Sequence, residues 1–551
     1  MIRRVALVLT AATVFGTGNA WAQQAELSPK PGAKDICPDT PLRITYPQTP
    51  SIQTFGTIEI HDAADDSLAG TVNFNDASPT QTIGGLPNYV YHNAAVSGKT
   101  LTLYFPNHSL KWNKTYYVKV PAGLIAGDPI PDNKTAWRFS TKASPLSESP
   151  RFTVAADGTG DFATVQAALD FIPERNAIPR TIFIKPGTYE EILCLMNRDH
   201  ITILGEDRKS TILQYANNDK FNPNAGGNPF GPGAPQPGAA DPKKDAVYRR
   251  GVFLAHNCKD LTIANLTLRN TTPHGGSQAE TIIFNGSPTD AHFILTNVDL
   301  YSFQDTLQVN GQAYINDASI EGDIDFMWGT GPCFFQSIHA RAVTNGAVFT
   351  TVRCPPTHHG FVFKDSTFDG APGITNSTLA RIEANRFPTS ETILLNTTMS
   401  NVITPAGWRA PTGGDASKIH FWELNSHDAD GKSVDVTRRV PPSRQLREAE
   451  DKEAIAQYSD PGYVLGGWKP TLAPLLPRVP EVKREGEKVI LTAVAVGIPA
   501  PRFQWSKDGV AIGGAEASSL AIQQDDLGKY TVIAINAAGA ATSEPVEVKR
   551  D

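Results

Sequence analysis

The sequence predicts an all-β protein, in which a right-handed parallel β-helix stands between an N-terminal and a C-terminal β-sandwich. Glycine and proline are plentiful, at 45 and 42 residues, and charged residues are only 19% of the chain. This balance suits β structure with many turns. Short apolar–polar alternations fill both ends of the chain, and a short repeat fills the middle. At 551 residues the chain is too long for one ordinary core, so several domains are expected.

Residues 1–22 have the layout of a cleaved secretion signal. Arg3 and Arg4 precede an apolar run over Val5–Phe15, and the segment ends in Ala20-Trp21-Ala22, which is typical of a signal rather than a membrane anchor. No later run is long and apolar enough to span a bilayer. We therefore expect a secreted or periplasmic protein without a membrane span, in a compartment where disulfides can form.

The cysteine count and the net charge exclude some classes of protein. The five cysteines are Cys37, Cys194, Cys258, Cys333 and Cys354. Their odd number and wide spacing predict neither a metal knuckle nor a full disulfide framework. Cys333 and Cys354 lie about one repeat apart, so they are candidates for a bridge between neighbouring strands. A net charge of −7, with no local basic surplus, indicates that the partner is not a nucleic acid.

The N-terminal region, residues 23–145, is predicted to be a small β-sandwich. Its short alternating runs each close on a turn residue and read "LRITYP", "TIEIHD", "LTLYFP", "YYVKVP" and "WRFSTK". "ASPLSESP", residues 143–150, reads as a linker. The region resembles the Ig-like modules of bacterial exported proteins.

The C-terminal region, residues 479–551, resembles an immunoglobulin-like domain of the intermediate set. Trp505 lies on a middle strand and Tyr530 on a late one, in "RFQWSKDGV" and "LGKYTVIAI". Ala493 and Val532 occupy the two places where that family has bridging cysteines. An apolar core is therefore expected to hold this sandwich together without the usual cross-link.

Residues 150–475 repeat one theme, which predicts the β-helix. The repeated segments read "LTIANLTLRN", "FILTNVDLYS", "AYINDASIEG", "FVFKDSTFDG" and "ILLNTTMSNV". Each has two apolar alternations around an Asn or Asp turn, and Phe293, Ala313 and Phe334 begin segments spaced by 20 and 21 residues. Repeats this short cannot bury a face alone, so they must stack. The alternative is a large antiparallel sandwich, but the tight two-residue hairpin signals are missing. The Gly- and Pro-rich residues 222–245 are expected to form a surface loop.

Paired acids on neighbouring repeats are the candidate catalytic groups. In "EGDIDFMWGTG", read as a strand, Glu321, Asp323 and Asp325 share one face, and the first two are expected to stay solvated. Asp305 lies 20 residues before Asp325, so the two should face each other across one or two strand spacings of about 5 Å. Two carboxylates that close do not both ionise readily, so one can stay charged while the other keeps a proton to donate.

Five motifs carry a resemblance to the pectin methylesterases (pectinesterases) over about residues 151–470. They are "GTYEE", "SQAE", "QDTL", "DFMWG" and "PAGW", and they occur in the order and rough spacing of that family. The resemblance implies hydrolysis of the methyl ester of galacturonate units in pectin. By matched position it implies Asp325 as nucleophile, Asp305 as general acid and then base, Gln278 and Gln304 as oxyanion donors, and Arg381 as the partner of Asp325.

One segment departs from the family pattern. Where the family has Leu-Gly-Arg-Pro-Trp, this chain reads "LARIEANRF", so Arg381 remains but Glu383 stands in place of the tryptophan. Phe387 or Trp328 is expected to fill the place of the missing indole against the sugar. Arg386 is the second candidate for the arginine role if the register differs.

Other aromatic residues and the histidines complete the sequence-based expectations. Tyr189 and Trp408 are expected to line the substrate groove, because they lie in matched motifs. Four histidines show no ligand spacing and are expected at the surface or in turns, namely His256, His274, His358 and His359. No metal and no cofactor are required.

Three functions remain open at this point. The favoured one is a secreted, monomeric esterase that acts on pectin. A glycosidase on the same fold, such as a polygalacturonase, also needs two carboxylates, but it would not explain Gln278 and Gln304. The third is a non-catalytic pectin-binding protein. Methanol release without chain shortening indicates the first, new reducing ends the second, and binding without either product the third.

Overall fold

The computed structural model of the chain describes residues 25–53, 55–125, 130, 133–223 and 249–550. The predicted signal, residues 1–22, and nearly all of the loop expected over 222–245 lie outside the described residues. The chain divides into two compact units. The first comprises residues 1–173 and 191–194, and the second comprises residues 174–190 and 195–551.

The first unit contains two antiparallel sheets of four strands in its described part. One has the order Glu26–Ser28, Leu42–Thr45, Thr100–Leu103, Ala94–Ser97, and the other has the order Arg138–Ser140, Thr115–Lys119, Thr57–Asp62, Leu68–Asn73. The unit's other elements are the hairpin Thr80–Ile83 and Leu86–Val90, the strand Arg151–Val154 and the helix Val165–Phe171. Alternate residues of the strands point into one apolar core. Trp137 is fully buried there, and its indole N–H donates to the carbonyl of Pro29 at 2.8 Å.

The second unit is built on two long sheets of parallel strands. The larger sheet runs in the order Arg180–Ile184, Ile201–Gly205, Leu261–Asn270, His292–Tyr301, Gln312–Gly322, Cys333–Gln336, Phe361–Lys364, Glu391–Leu395, His420–Leu424 and Ser443–Gln445. Shorter strands extend it at Gly187–Glu190, Thr211–Tyr215, His339–Ala342, Thr367–Gly370 and Thr398–Met399. The smaller sheet contains Phe253–His256, Ile282–Asn285, Leu307–Val309, Met327–Gly329, Val348–Val352 and Thr378–Ala380. The strand Leu193–Met196 has residues in both units.

The chain alternates between these two sheets, which makes the predicted parallel β-helix. Each pairing is parallel and joins residues one coil apart, as in Phe293 with Ala313 and Ala313 with Cys333. The predicted start at Phe334 is one residue late, since Phe334 pairs with Tyr314. The β-helix prediction is confirmed, and the antiparallel sandwich is wrong for this region.

Asn and Asp residues at the bends of the long sheet explain the repeated motif. Five of these residues have positive φ angles, which are 59° at Asn265, 53° at Asn297, 48° at Asp317, 53° at Asn396 and 53° at Asn425. Asn and Asp tolerate this left-handed conformation better than other non-glycine residues. Their side chains also bond from coil to coil: Asn297 Nδ2 donates to Asn265 Oδ1 at 2.6 Å, and Asn425 Nδ2 donates to Asn396 Oδ1 at 3.2 Å.

Stacked aromatic rings fill part of the β-helix interior. The rings of Phe335 and Phe363 stack at 4.2 Å between centroids, and those of Phe284 and Phe293 stack at 4.7 Å. Phe335 and Phe363 are partners in the parallel register of successive coils, so their rings lie directly above one another. Phe284 and Phe293 lie on different sheets, so their contact joins the two sheets across the interior. The regular coils thereby hold the turns that follow them at fixed positions.

After the last coil come two helices, Lys452–Tyr458 and Pro461–Val464, and then a set of antiparallel strands. These strands are Leu472–Leu475, Glu481–Glu485, Lys488–Thr492, Val496–Ile498, Arg502–Lys507, Val510–Ala511, Ser519–Gln523, Gly528–Asn536, Gly539–Thr542 and Val546–Val548. Ala493 and Val532 are buried in one cluster with Trp505 and Tyr530. The Tyr530 hydroxyl donates to the carbonyl of Asp526 at 2.8 Å.

None of the helices in the described part of the chain has the length and the apolar character needed to cross a membrane.

All five cysteines lie among the described residues, and all are buried thiols rather than disulfides. The bridge considered between Cys333 and Cys354 is therefore wrong: the thiol of Cys354 donates instead to the carbonyl of Thr389 at 3.2 Å. Burial raises the pKa of Cys37 to about 11 and that of Cys258 to about 12. Reactive thiolates are consequently scarce at neutral pH.

We expect a thiol reagent at pH 8 to label none of the cysteines in the native protein and all five after unfolding in guanidinium chloride. The physical reason is that burial both blocks access and disfavours the thiolate. A reducing agent should leave Tm unchanged for the same protein sample. A lower Tm in reductant, or fewer than the full number of thiols after unfolding, would show that a disulfide forms.

Candidate active site

The stretch 321–331 is not one continuous strand, contrary to the prediction. The strand Gln312–Gly322 ends, a turn follows, and a new strand begins at Met327–Gly329 on the other sheet. Asp325 lies in this turn with φ 50°, and Asp305 lies in the equivalent turn one coil earlier with φ 64°. The three acids therefore do not share a strand face, because the chain changes sheet between them.

The backbone register stacks the turn of Asp305 on the turn of Asp325. Leu307 pairs with Met327, two residues after each acid. The backbone N–H of Asp305 also donates to the carbonyl of Ile324 at 3.0 Å. Both aspartates are buried. The spacing of 20 residues therefore places the two carboxylates on successive coils, where we expected them.

Asp325 is held by a two-point arginine contact. Arg381 donates from Nε to Oδ1 at 2.8 Å and from Nη2 to Oδ2 at 2.5 Å. The hydroxyl of Thr351 donates to Oδ1 at 2.5 Å. Such charge-assisted, bidentate contacts fix the orientation of the carboxylate. Arg386 instead pairs with Glu383 at 3.0 Å, so the structure brings Arg381, and not Arg386, to Asp325.

Asp305 lies in a different electrostatic environment, which the sequence did not indicate. Its Oδ2 is 3.2 Å from Nη2 of Arg250, and the same guanidinium binds Glu280. Burial and then the negative charge of Glu280 raise the pKa of Asp305 well above its ordinary value. Arg250 and Glu280 were missed, although Glu280 is the last residue of the "SQAE" motif. Only the fold shows that its side chain binds the same guanidinium that contacts Asp305.

Gln278 and Gln304 lie on successive coils beside the two aspartates. The backbone N–H of Ala279 donates to the carbonyl of Gln304 at 3.1 Å, which aligns the two segments. Both glutamine side chains are half-buried. The hydroxyl of Ser277 donates to Oε1 of Gln278 at 2.7 Å, so the oxygen of this amide is engaged and its NH2 group faces away from that bond. An amide NH2 is a neutral donor suited to an oxyanion.

Trp328 and Phe387 both lie close to an arginine that the sequence did not single out. The guanidinium of Arg353 is 4.8 Å from the centroid of a Trp328 ring and 5.7 Å from that of Phe387. Arg250 lies 5.8 Å from the Trp328 ring. Such distances are typical of cation–π contacts. The structure thus brings both predicted aromatics to Arg353. Trp328 is only 2% exposed, which contradicts its predicted contact with the sugar, whereas Phe387 is half-buried.

Tyr189 and Trp408 are placed elsewhere, and their burial contradicts the predicted contact with substrate. Tyr189 is 3% exposed, and its hydroxyl donates to the carbonyl of Lys185 at 2.9 Å. Trp408 is 1% exposed, and its indole N–H donates to Glu423 at 2.9 Å. Matched motifs do not reveal side-chain direction, and here both rings serve packing.

Two other expectations are wrong because the fold buries the side chains. Asp323 is only 2% exposed, accepts from His274 at 3.2 Å, and has its pKa raised by burial. His256 is 2% exposed and accepts at Nδ1 from Asn285 at 2.7 Å. His274 is exposed as predicted, whereas His358 and His359 are half-buried and Glu321 is half-buried rather than solvated.

In the described part of the chain, no group of three or more His, Cys, Asp or Glu side chains is arranged to hold a metal ion. The absence of a cofactor stays a prediction.

Comparison with known proteins shows which protein family the chain matches. The family model described as pectinesterase matches residues 151–224 and 240–467. "Pectinesterase 2" of Olea europaea is 26% identical over 307 residues, which cover 55% of this chain and 76% of that protein. "Probable pectinesterase 50" of Arabidopsis thaliana is 25% identical over 364 residues, which cover 62% of this chain and 90% of that protein.

Solved structures are also similar to part of the chain. A pectin methylesterase from carrot has a TM-score of 0.47 at 22% identity and covers 59% of this chain and 95% of its own. The pectin methylesterase PemA from Erwinia chrysanthemi has a TM-score of 0.46 at 20% identity and covers 59% of this chain and 99% of its own.

We expect His256 to titrate with a pKa of about 4 in the folded protein, because burial disfavours its charged form, against an ordinary value of 6.5. The unfolded chain binds this proton at higher pH than the folded chain does, so the free energy of unfolding should fall as the pH is lowered between these two values. NMR of the imidazole resonances measures the titration directly. A His256 pKa above 6 would contradict the prediction.

Proposed function

The chain belongs to the pectinesterase family, which hydrolyses the methyl esters of pectin, and from this premise we propose that Asp325 and Asp305 carry out the hydrolysis. The family assignment favours the esterase over the glycosidase and the binding protein. One observation carries the assignment of roles: two aspartates on successive coils have opposite environments. Arg381 donates two hydrogen bonds to the carboxylate of one, while burial and Glu280 favour a proton on the other.

In the first step, a carboxylate oxygen of Asp325 attacks the carbonyl carbon of the methyl ester. The carbonyl oxygen becomes an oxyanion, which the NH2 groups of Gln278 and Gln304 stabilise as donors. The C–OCH3 bond then breaks as Asp305 gives its proton to the departing oxygen, and methanol leaves. The product of this step is a mixed anhydride between Asp325 and the galacturonate carbonyl, with Asp305 left as a carboxylate.

In the second step, Asp305 takes a proton from a water molecule as general base. The hydroxide oxygen attacks the galacturonate carbonyl of the anhydride, and Gln278 and Gln304 again face the oxyanion. The bond to Asp325 breaks, which restores its carboxylate beside Arg381 and returns Asp305 to the protonated form. The net change is ester plus water to acid plus methanol, so each aspartate ends as it began.

We assign substrate contact to the surface formed by Phe387 and Arg353, which are both half-buried. Aromatic faces pack against the apolar faces of sugars, and a guanidinium pairs with the carboxylates of galacturonate. Phe387 is the last residue of the "LARIEANRF" segment, in which this chain lacks the family's tryptophan. The position of Phe387 near Arg353 supports the prediction that its ring takes the place of the missing indole. Because the guanidinium of Arg353 is 5.7 Å from the centroid of the Phe387 ring, the replacement surface is more basic than an indole alone.

The remaining organisation is proposed from the sequence pattern and the strand sets. We propose a secretion signal over residues 1–22, an Ig-like sandwich over 23–145, the catalytic β-helix over 150–475 and a second Ig-like sandwich over 479–551. The antiparallel sheets before and after the parallel ones support this division. We also propose that the protein acts outside the cytoplasm, as a monomer, on pectin.

Asp325→Asn should lower methanol release from methylated pectin by at least about 1,000-fold, because an amide cannot serve as the nucleophile. Pectin binding and Tm should change little, since the amide has nearly the same shape. Methanol is measured enzymatically, and reducing ends are measured in the same samples. The matched control is Asp299→Asn, a buried aspartate that is also paired with an arginine, at 2.9 Å from Arg208. Methanol release by Asp325→Asn at the rate of this control would refute the assignment.

Arg381→Ala should lower kcat by about 100-fold or more with little change in KM, because Asp325 is no longer aimed at the ester carbon. Arg386→Ala is the matched control: its ion pair with Glu383 is exposed, and such pairs contribute about 0–1 kcal/mol. We expect nearly normal kcat for this variant. The opposite pattern, with Arg386→Ala inactive and Arg381→Ala active, would show that the assigned arginine is wrong.

A further inference from the structure

One buried guanidinium contacts three carboxylates beside the active site. Arg250 donates from Nε to both oxygens of Glu280 at 3.0 Å and from Nη2 to Oε1 at 2.8 Å. Its Nη2 also donates to Oδ2 of Asp305 at 3.2 Å, and its Nη1 to Oδ1 of Asp219 at 3.3 Å. Arg250 and Glu280 are both buried, while Asp219 is partly exposed. The proposed mechanism uses Asp305 alone from this group.

The contacts are unequal, and the inequality decides which carboxylate keeps the charge. Glu280 receives three N–H contacts at 2.8–3.0 Å and is completely inaccessible to solvent. Asp305 receives one contact from the same guanidinium, at 3.2 Å. A single cation cannot compensate two buried carboxylates, and an uncompensated buried charge takes up a proton instead. Burial raises the pKa of Glu280 as well, but the charge and the N–H contacts of Arg250 oppose that rise. Glu280 is therefore the better-held charge, and Asp305 is the group that stays neutral.

The other charged groups that face Asp305 come from several coils. Asp325 on the next coil adds a negative charge that favours the neutral form of Asp305, and Arg353 adds a positive charge that opposes it. Arg381 is also close enough to interact with Asp305, but its two-point contact is with Asp325. Of these described groups, Glu280 contributes the largest charge effect, second only to burial itself.

We propose that Glu280 is a positioning residue that occupies the guanidinium of Arg250 and thereby keeps Asp305 protonated for the first step of the reaction. This inference rests on the proposed function, because it assigns the protonated form of Asp305 a use. Without Glu280, the guanidinium would turn its N–H groups to Asp305 and stabilise the carboxylate. The general acid would then lose its proton at a lower pH. Glu280 itself touches neither the substrate nor the reacting atoms.

The test is the pH dependence of kcat/KM for methanol release by the full-length protein and by Glu280→Gln. Since the first step needs protonated Asp305, the alkaline limb of the profile reports its pKa. In Glu280→Gln a negative charge is lost and Arg250 is released toward Asp305, so that pKa falls. We expect the alkaline limb to move to lower pH by about 1 unit or more. An unshifted limb, or one shifted to higher pH, would overturn the proposal.

Glu423→Gln is the matched control. Glu423 is also a fully buried carboxylate bound by an arginine, with Arg439 Nε at 2.9 Å and Nη2 at 3.2 Å. It lies on the strand His420–Leu424, several coils after Asp305. Both variants should lose thermal stability, but only Glu280→Gln should shift the pH profile. Equal shifts in the two variants would overturn the proposal, because the effect would then follow from destabilisation.

If Glu280→Gln does not fold, Arg250→Lys takes its place. Lysine keeps a positive charge for Glu280, but its single ammonium cannot reach both carboxylates as the forked guanidinium does. Asp305 then loses its cationic neighbour, and the alkaline limb should move to higher pH. A limb that stays in place or moves lower would contradict the proposal. Methanol release by the wild-type protein, and its loss in Asp325→Asn, test the function separately.

Discussion

The parallel, in-register pairing of the short strands in the smaller sheet is the constraint on which the site depends. Each of these strands begins just after a turn, and Leu307 lies opposite Met327. The positions two residues earlier are therefore stacked from coil to coil. Ile282 pairs with Leu307 in the same way, so Glu280, Asp305 and Asp325 form one column of acids. A shift of one residue in any pairing would remove a member of the column, because neighbouring side chains point in different directions.

A column of buried acids is costly unless each charge is compensated. Two arginines from different coils provide positive charge that stabilises these carboxylates. Arg381 comes from a later coil and serves Asp325, while Arg250 comes from an earlier coil and mainly serves Glu280. Asp305, in the middle, is left with the weakest cationic contact. The asymmetry between the two aspartates, on which their proposed roles rest, thus follows from the order of charges along the column.

The repeating Asn and Asp turns and the stacked aromatic rings make this column rigid. They recur along the coils whether or not a coil carries a proposed site residue. Their regular spacing could therefore be recognised in the sequence as a repeat. The position of the turn that contains Asp325 was not predicted from the sequence. "EGDIDFMWGTG" has the apolar–polar alternation of a strand, yet the chain passes from one sheet to the other within it. The alternation of apolar and polar residues does not mark where a β-helix makes such a turn.

The sequence by itself determined the fold class, the repeat, the paired aspartates, the two glutamines and Arg381, because coil spacing and motif order are properties of the chain. Only the tertiary structure decided which side chains reach the site. It buried Tyr189, Trp408 and His256, since which side of a coil faces solvent depends on what packs over it. It also brought Arg250 to Glu280 and Asp305, which lie 30 and 55 residues away along the chain. Contacts across coils carry no local pattern, and for that reason the charge balance at Asp305 could be seen only in the folded protein.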